Sequence, residues 1–140
     1  MDGSPAAPWS SRMPETADIL AIHELLGLYG HIIDAREWAR VEELFTADCT
    51  YDMTQFGLGV VRGARAVAAL WAAPDAMHPL AHHATNIIVS EDPDGTVRVL
   101  SKGLGVGPNG RVGSVTYRDI VVRTGAGWRF AARTGELRRL

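Results

Sequence analysis

The stretch ILAIHELLGLYGHIIDAREWARVEELFTADC, Ile19 to Cys49, decides how this chain folds. Ile19, Ile22, Leu25, Leu26, Leu28, Tyr29, Ile32 and Ile33 recur at intervals of three and four, which places them on one stripe of a helix. Asp34 closes that stripe. A carboxylate there needs water, a cap or a partner, because burying it unpaired is costly or drives its pKa up. The spacing predicts a helix running to about Asp34, with Thr16 as its cap and Asp18 complementing the dipole in the first turn. Glu37 to Phe45, EWARVEELF, sets Trp38, Val41, Leu44 and Phe45 at helical intervals and predicts a second helix, ended by Thr46-Ala47-Asp48.

Outward from this stretch the pattern changes. On the N-terminal side, Met1 to Pro14 is rich in Pro, Ser and Ala without periodicity, and reads as a flexible arm (residues 1–14) before a single domain (residues 15–140). On the C-terminal side, CTYDMTQFG (Cys49 to Gly57) alternates like a strand, and a glycine-rich connection runs from Gly57 to Gly63. Arg65 to Ala73 returns to helical composition, closed by Pro74 and Pro79. Strands are expected at His82 to Glu91, Thr96 to Gly105, Gly113 to Thr124 and Gly127 to Arg133, separated by turns such as Asp92-Pro93-Asp94-Gly95. Helices first and a meandering, mainly antiparallel sheet afterwards give an α+β layout: a cone-shaped barrel in which helices pack on a strongly curved sheet. A small molecule would sit between the layers.

Composition narrows the function classes. The chain has 140 residues, enough for one domain with its own core. A net charge of −2 supplies no basic field for nucleic acid. One cysteine, Cys49, forms no internal disulfide and suits a reducing, cytoplasmic setting. No apolar run is long enough to cross a bilayer, and no signal peptide is expected.

The order Tyr29-x4-Asp34-x3-Trp38, then Leu44-Phe45-x2-Asp48, then His83-x2-Asn86, and finally Tyr117-x-Asp119 with Val122-Arg123 and Gly127-Trp128-Arg129, resembles the SnoaL-like branch of the nuclear transport factor two-like superfamily over about residues 15 to 135. The pocket residues are most similar to those of scytalone dehydratase and bacterial bile-acid dehydratase. The resemblance implies a hydrogen-bonded pair between Asp34 at the end of the first helix and His83 early in a strand, with Tyr29 beside it. Tyr51, Asn86, Tyr117 and Trp38 are the candidate substrate contacts, with a backbone hydrogen bond the other reading of Asn86 and a structural role that of Tyr51. Scytalone dehydratase has a further histidine on the next strand, where this chain reads Leu104-Gly105-Val106.

Such a pair would suit proton removal next to a carbonyl. Histidine titrates near neutral pH, and an aspartate on one ring nitrogen fixes the tautomer and steadies the imidazolium. Tyrosine hydroxyls would hold the developing enolate oxygen. The resemblance therefore implies a dehydratase-like lyase, isomerase or cyclase acting on a hydrophobic polyketide or steroid-like carbonyl compound. It needs no cofactor and no metal, since His82 and His83, adjacent on a strand, point to opposite faces.

Plain readings stand beside these. Asp34 is also placed to cap the second helix. Periodicity alone does not choose between His82 and His83: His83 shares parity with Thr85, Ile87 and Val89, yet Ile88 is apolar too, and the choice of His83 comes from the resemblance. Arg129 and Arg133 alternate with Trp128, Phe130 and Ala132, as on a solvated strand face. Cys49 reads as a small core residue, and His23 and His31 as surface residues. A non-catalytic binding domain and a dimerisation module are the alternative functions, and a homodimer or higher homo-oligomer is compatible with all of them.

Overall fold

The computed structural model describes residues 14–138; the arm expected over residues 1–14 lies outside them apart from Pro14. Helix α1 spans Thr16–Asp34 and buries Ile22, Leu25, Leu26, Tyr29, Gly30, Ile32 and Ile33, the stripe read from the sequence. Its N-cap is Glu15 rather than Thr16, and no side chain caps it; Asp18 stands in the first turn as expected. Its end is a Schellman turn. Arg36 takes a left-handed backbone (φ 55°), the Arg36 amide donates to the Ile33 carbonyl and the Glu37 amide to the Ile32 carbonyl, each at 3.0 Å. The turn stops the helix with Asp34 as its last residue.

The expected second helix is only a 3-10 segment, Trp38–Glu43, and Asp34 does not cap it. Phe45 instead opens strand β1 (Phe45–Met53), whose inward residues are Phe45, Cys49, Tyr51 and Met53. Sheet pairing decides this: the Phe130 amide donates to the Leu44 carbonyl at 2.8 Å, and a segment this short cannot sustain a helix against that competition. The glycine-rich connection contains a short strand β2 (Gly59–Arg62), followed by helix α2 (Ala64–Ala72). Strands β3 (Ala81–Glu91), β4 (Val97–Val106), β5 (Val112–Thr124) and β6 (Gly127–Leu137) lie where expected, with β6 running on past Arg133.

The six strands form one open sheet in the order β2-β1-β6-β5-β4-β3. Only β1 and β6 pair in parallel. The α+β architecture is thus present, with α1 lying against β3 and β6 on a curved sheet that does not close on itself. Ile22, Leu26, Ile32, Leu44, Phe45, Val67, Val99, Val121 and Phe130 are fully buried between the layers.

Two bulges set which side chains face inward. On β3, Thr85 pairs with Lys102 but Ile88 with Leu100, so β3 carries one extra residue, and Asn86 there adopts a left-handed backbone (φ 53°). On β6, Ala132 pairs with Ile120 but Phe130 with Val121, so Ala131 is the extra residue. Each bulge reverses the alternation across it, which brings both His82 and Val89 of β3, and both Phe130 and Arg133 of β6, to the inner face. Asn86→Val should lower unfolding stability by about 1–2 kcal/mol, because a β-branched residue resists the left-handed conformation, whereas Asn86→Gly should be close to neutral. Urea titration of the two variants measures the difference.

Candidate active site

Between α1, α2 and the sheet lies a cavity of about 780 Å³, lined by apolar side chains such as Leu26, Ile33, Met53, Leu70 and Val115 and by the rings of Tyr29, Tyr51, Trp71, Tyr117 and His82. Each ring comes from a different element.

Leu26, Tyr29, Gly30 and Ile33 of α1 line this cavity, and Asp34 at the end of the helix stands behind its wall, holding the lining residue His82. A carboxylate at a helix C-terminus faces the negative end of the dipole and so needs donors. His82 supplies two: its ring Nδ1 lies 2.6 Å from Asp34 Oδ1, and its backbone amide donates to Asp34 Oδ2 at 3.0 Å. β3 is an edge strand, which is why a backbone amide is available to a side chain. With Nδ1 donating to the carboxylate, Nε2 is the ring's free, basic nitrogen.

The partner of Asp34 is therefore His82, not the His83 expected from the sequence. The inward parity shared with Val89 does not extend back to His83 because the bulge at Asn86 intervenes; His83 sits beside Leu104, exposed at the cavity rim. Asn86 itself is an exposed bulge residue that does not line the cavity, which corrects its reading as a substrate contact. Trp38 does not line the cavity either: it stacks behind Trp71 and His78, at centroid distances of 6.1 and 5.3 Å. Tyr29, Tyr51 and Tyr117 do line it.

Tyr29 and Tyr51 share a hydrogen bond of 2.7 Å between their hydroxyls, and Trp71 Nε1 donates to the Tyr51 oxygen at 3.3 Å. Two phenols own two protons, and their mutual bond uses one. One O–H therefore remains for a ligand. Burial pushes the Tyr51 phenol up to about 12 and the Tyr29 phenol well above its ordinary value, reinforced by neighbouring phenols, so both are neutral donors at physiological pH. The Tyr29 ring meets the His82 ring edge-on at 6.4 Å, which puts phenol and imidazole on adjoining walls.

Arg133 was expected on a solvated face and is instead buried, its guanidinium carbon 4.1 Å from the Tyr29 ring centre and 3.6 Å from that of Tyr117. The bulge at Ala131 is the physical reason. Across the sheet Arg133 faces Asp119, also buried, with Nε 3.1 Å from Oδ1. That approach lacks hydrogen-bonding geometry: both Asp119 oxygens and Arg133 Nε and Nη1 have no hydrogen-bond partner among the described residues. Burial is the largest influence on Arg133 and opposes its charge, but Asp119 and the phenols of Tyr29, Tyr117 and Tyr51 together outweigh it, and its pKa is raised. Burial lifts the Asp119 carboxyl to about 6 despite Arg133. The sequence signal that could have found this pair is one inward position shared by two adjacent strands, legible only once the bulge is placed.

The fold agrees with the comparisons. A family model described as a SnoaL-like domain matches residues 14–134, so the chain belongs to the SnoaL-like family. Among solved structures it is similar to a nuclear transport factor two-like protein with a cystatin-like fold from Novosphingobium aromaticivorans (28% identity, 86% of this chain and 82% of that one, TM-score 0.69). It is also similar in fold to the hexachlorocyclohexane dehydrochlorinase LinA-type3 of Novosphingobium barchaimii (18%, 88% and 88%, 0.71) and to a candidate scytalone dehydratase of Novosphingobium aromaticivorans (18%, 88% and 85%, 0.68). No curated protein matches the sequence. Among the described residues no helix is long and apolar enough to cross a membrane.

A carboxyl whose native pKa lies above its unfolded value holds its proton more tightly when folded. The stability Asp119 contributes is accordingly full below about pH 4 and lost as pH rises through about 6. Asp119→Asn should flatten the fall in unfolding free energy between about pH 4 and 7, measured by urea titration at several pH values.

Proposed function

We propose that this protein is a cofactor-independent, dehydratase-like lyase that acts on a hydrophobic ring compound carrying a hydroxyl beta to a carbonyl. The observation that carries the reading is the two-point contact of Asp34 with His82 on the wall of an apolar, aromatic cavity. His82 Nε2 would take the proton from the carbon next to the carbonyl, and the electrons of that C–H bond would move into an enolate. The free phenolic O–H of the Tyr29–Tyr51 pair would donate to the enolate oxygen, and the buried Arg133 charge would favour the same anion. The imidazolium would then return its proton to the departing hydroxyl, which leaves as water while the enolate electrons form the new double bond. Asp34 would hold the Nδ1 proton throughout. A substrate without the β-hydroxyl would leave the same groups to shift a double bond or close a ring.

A dehydrochlorinase and a candidate scytalone dehydratase among the structural neighbours perform or are expected to perform eliminations, and this supports the class without fixing the substrate. A test substrate is 3-hydroxy-1-tetralone, a bicyclic β-hydroxy ketone that becomes 1-naphthol on losing water, read by fluorescence. His82→Gln and Asp34→Asn should each reduce kcat by about 100-fold or more, the scale of lost general-base catalysis, while His83→Gln leaves it within about twofold. Equal rates in wild type and His82→Gln would remove the mechanism. Binding without turnover of this and related ketones would instead favour a binding domain.

The outer sheet face carries Ile88, Leu100, Ile120 and Val122 between Arg98 and Arg118, and we propose that it pairs with a second copy of the chain. Leu100→Glu should then convert a dimer to a monomer in light scattering after size exclusion. A wild-type chain that is already monomeric would contradict this.

A further inference from the structure

We infer that Gly30 is a positioning residue for the Asp34–His82 pair: lacking a side chain, it lets the His82 backbone of β3 close onto α1 one turn before the carboxylate. The inference rests on the proposed role of His82. Glycine weakens a helix interior, and α1 contains two, Gly27 and Gly30. Their surroundings differ. A Cβ at Gly27 would meet nothing within 4 Å, whereas a Cβ at Gly30 would lie 2.9 Å from the His82 carbonyl oxygen, 3.3 Å from His82 Cβ and 3.5 Å from the His82 carbonyl carbon. The contact is with the backbone of the very residue that Asp34 grips.

Gly30 and Asp34 are four apart and so lie on one face of α1, one above the other. The strand therefore touches the helix at Gly30 and is held at Asp34, through one short bond to the ring and one to the amide. β3 is the sheet's edge and has no strand on its far side to resist displacement. A methyl group at Gly30 has to push His82 outward by a few tenths of an ångström, and the 2.6 Å bond between Nδ1 and Asp34 lengthens with it. The missing side chain thus sets how firmly the carboxylate holds the imidazole.

The test compares Gly30→Ala with Gly27→Ala in the full chain. The His82 Nδ1 proton, identified by its absence from His82→Gln, gives a downfield proton NMR resonance whose position reports the length of its bond to Asp34. In Gly30→Ala this resonance should move upfield, and kcat on 3-hydroxy-1-tetralone should fall about tenfold with KM within about twofold, as expected for a small misplacement of a catalytic group. Gly27→Ala should keep both the resonance and the rate. An unmoved resonance in a folded Gly30→Ala chain would overturn the inference and leave the proposed reaction standing. Failure of Gly30→Ala to fold would overturn it as well, because the edge strand would then be unable to yield. Full activity of His82→Gln would instead strike at the proposed reaction, while the resonance still reports on Gly30.

Discussion

One carboxylate joins the two layers of this protein at the place where its chemistry would happen. Asp34 ends α1 because a Schellman turn stops the helix there, and it accepts two hydrogen bonds from His82 on the sheet's edge strand. The helix dipole disfavours a negative charge at that end, so the carboxylate gains from each donor it finds. The same contact orders the strand, orients the ring and leaves one imidazole nitrogen for a proton. Helix packing, sheet edge and tautomer are thus settled together.

Around that contact the aromatic side chains of the cavity lean on one another. Tyr29 is their hub, meeting Phe45, Trp71, His82, Tyr117 and Phe130 edge-to-face at centroid distances from 5.6 to 6.4 Å. Such contacts hold ring orientation, so that the phenolic pair keeps its direction toward the cavity. Beneath them Arg133 places a positive charge among π faces, with Asp119 across the sheet as its counter-charge. A buried pair of this kind adds little net stability.

The strands show how small a backbone irregularity redirects side chains. Without the extra residue near Asn86, His83 would share the inner face with Val89, and His82 would look outward. Without the extra residue at Ala131, Arg133 would leave the inner face to which Phe130 belongs. Two single-residue bulges therefore select which histidine meets Asp34 and which arginine turns inward. Gly30 acts on the same contact from the helical side, since its lack of a side chain sets how near β3 can come.

The sequence by itself determined α1, its apolar stripe, Asp34 at its end, the helix-then-sheet order and most strand positions, because these follow from local periodicity and turn chemistry that each segment carries within itself. It also pointed to Tyr29, Tyr51 and Tyr117, whose inward positions needed no correction. Tertiary structure alone decided that Phe45 belongs to a strand, that His82 rather than His83 meets Asp34, and that Arg133 turns inward to Asp119. Each of those outcomes depends on pairing with a distant strand, whose register and bulges are set by neighbours far away in the chain. Alternation along one strand cannot reveal where the alternation reverses.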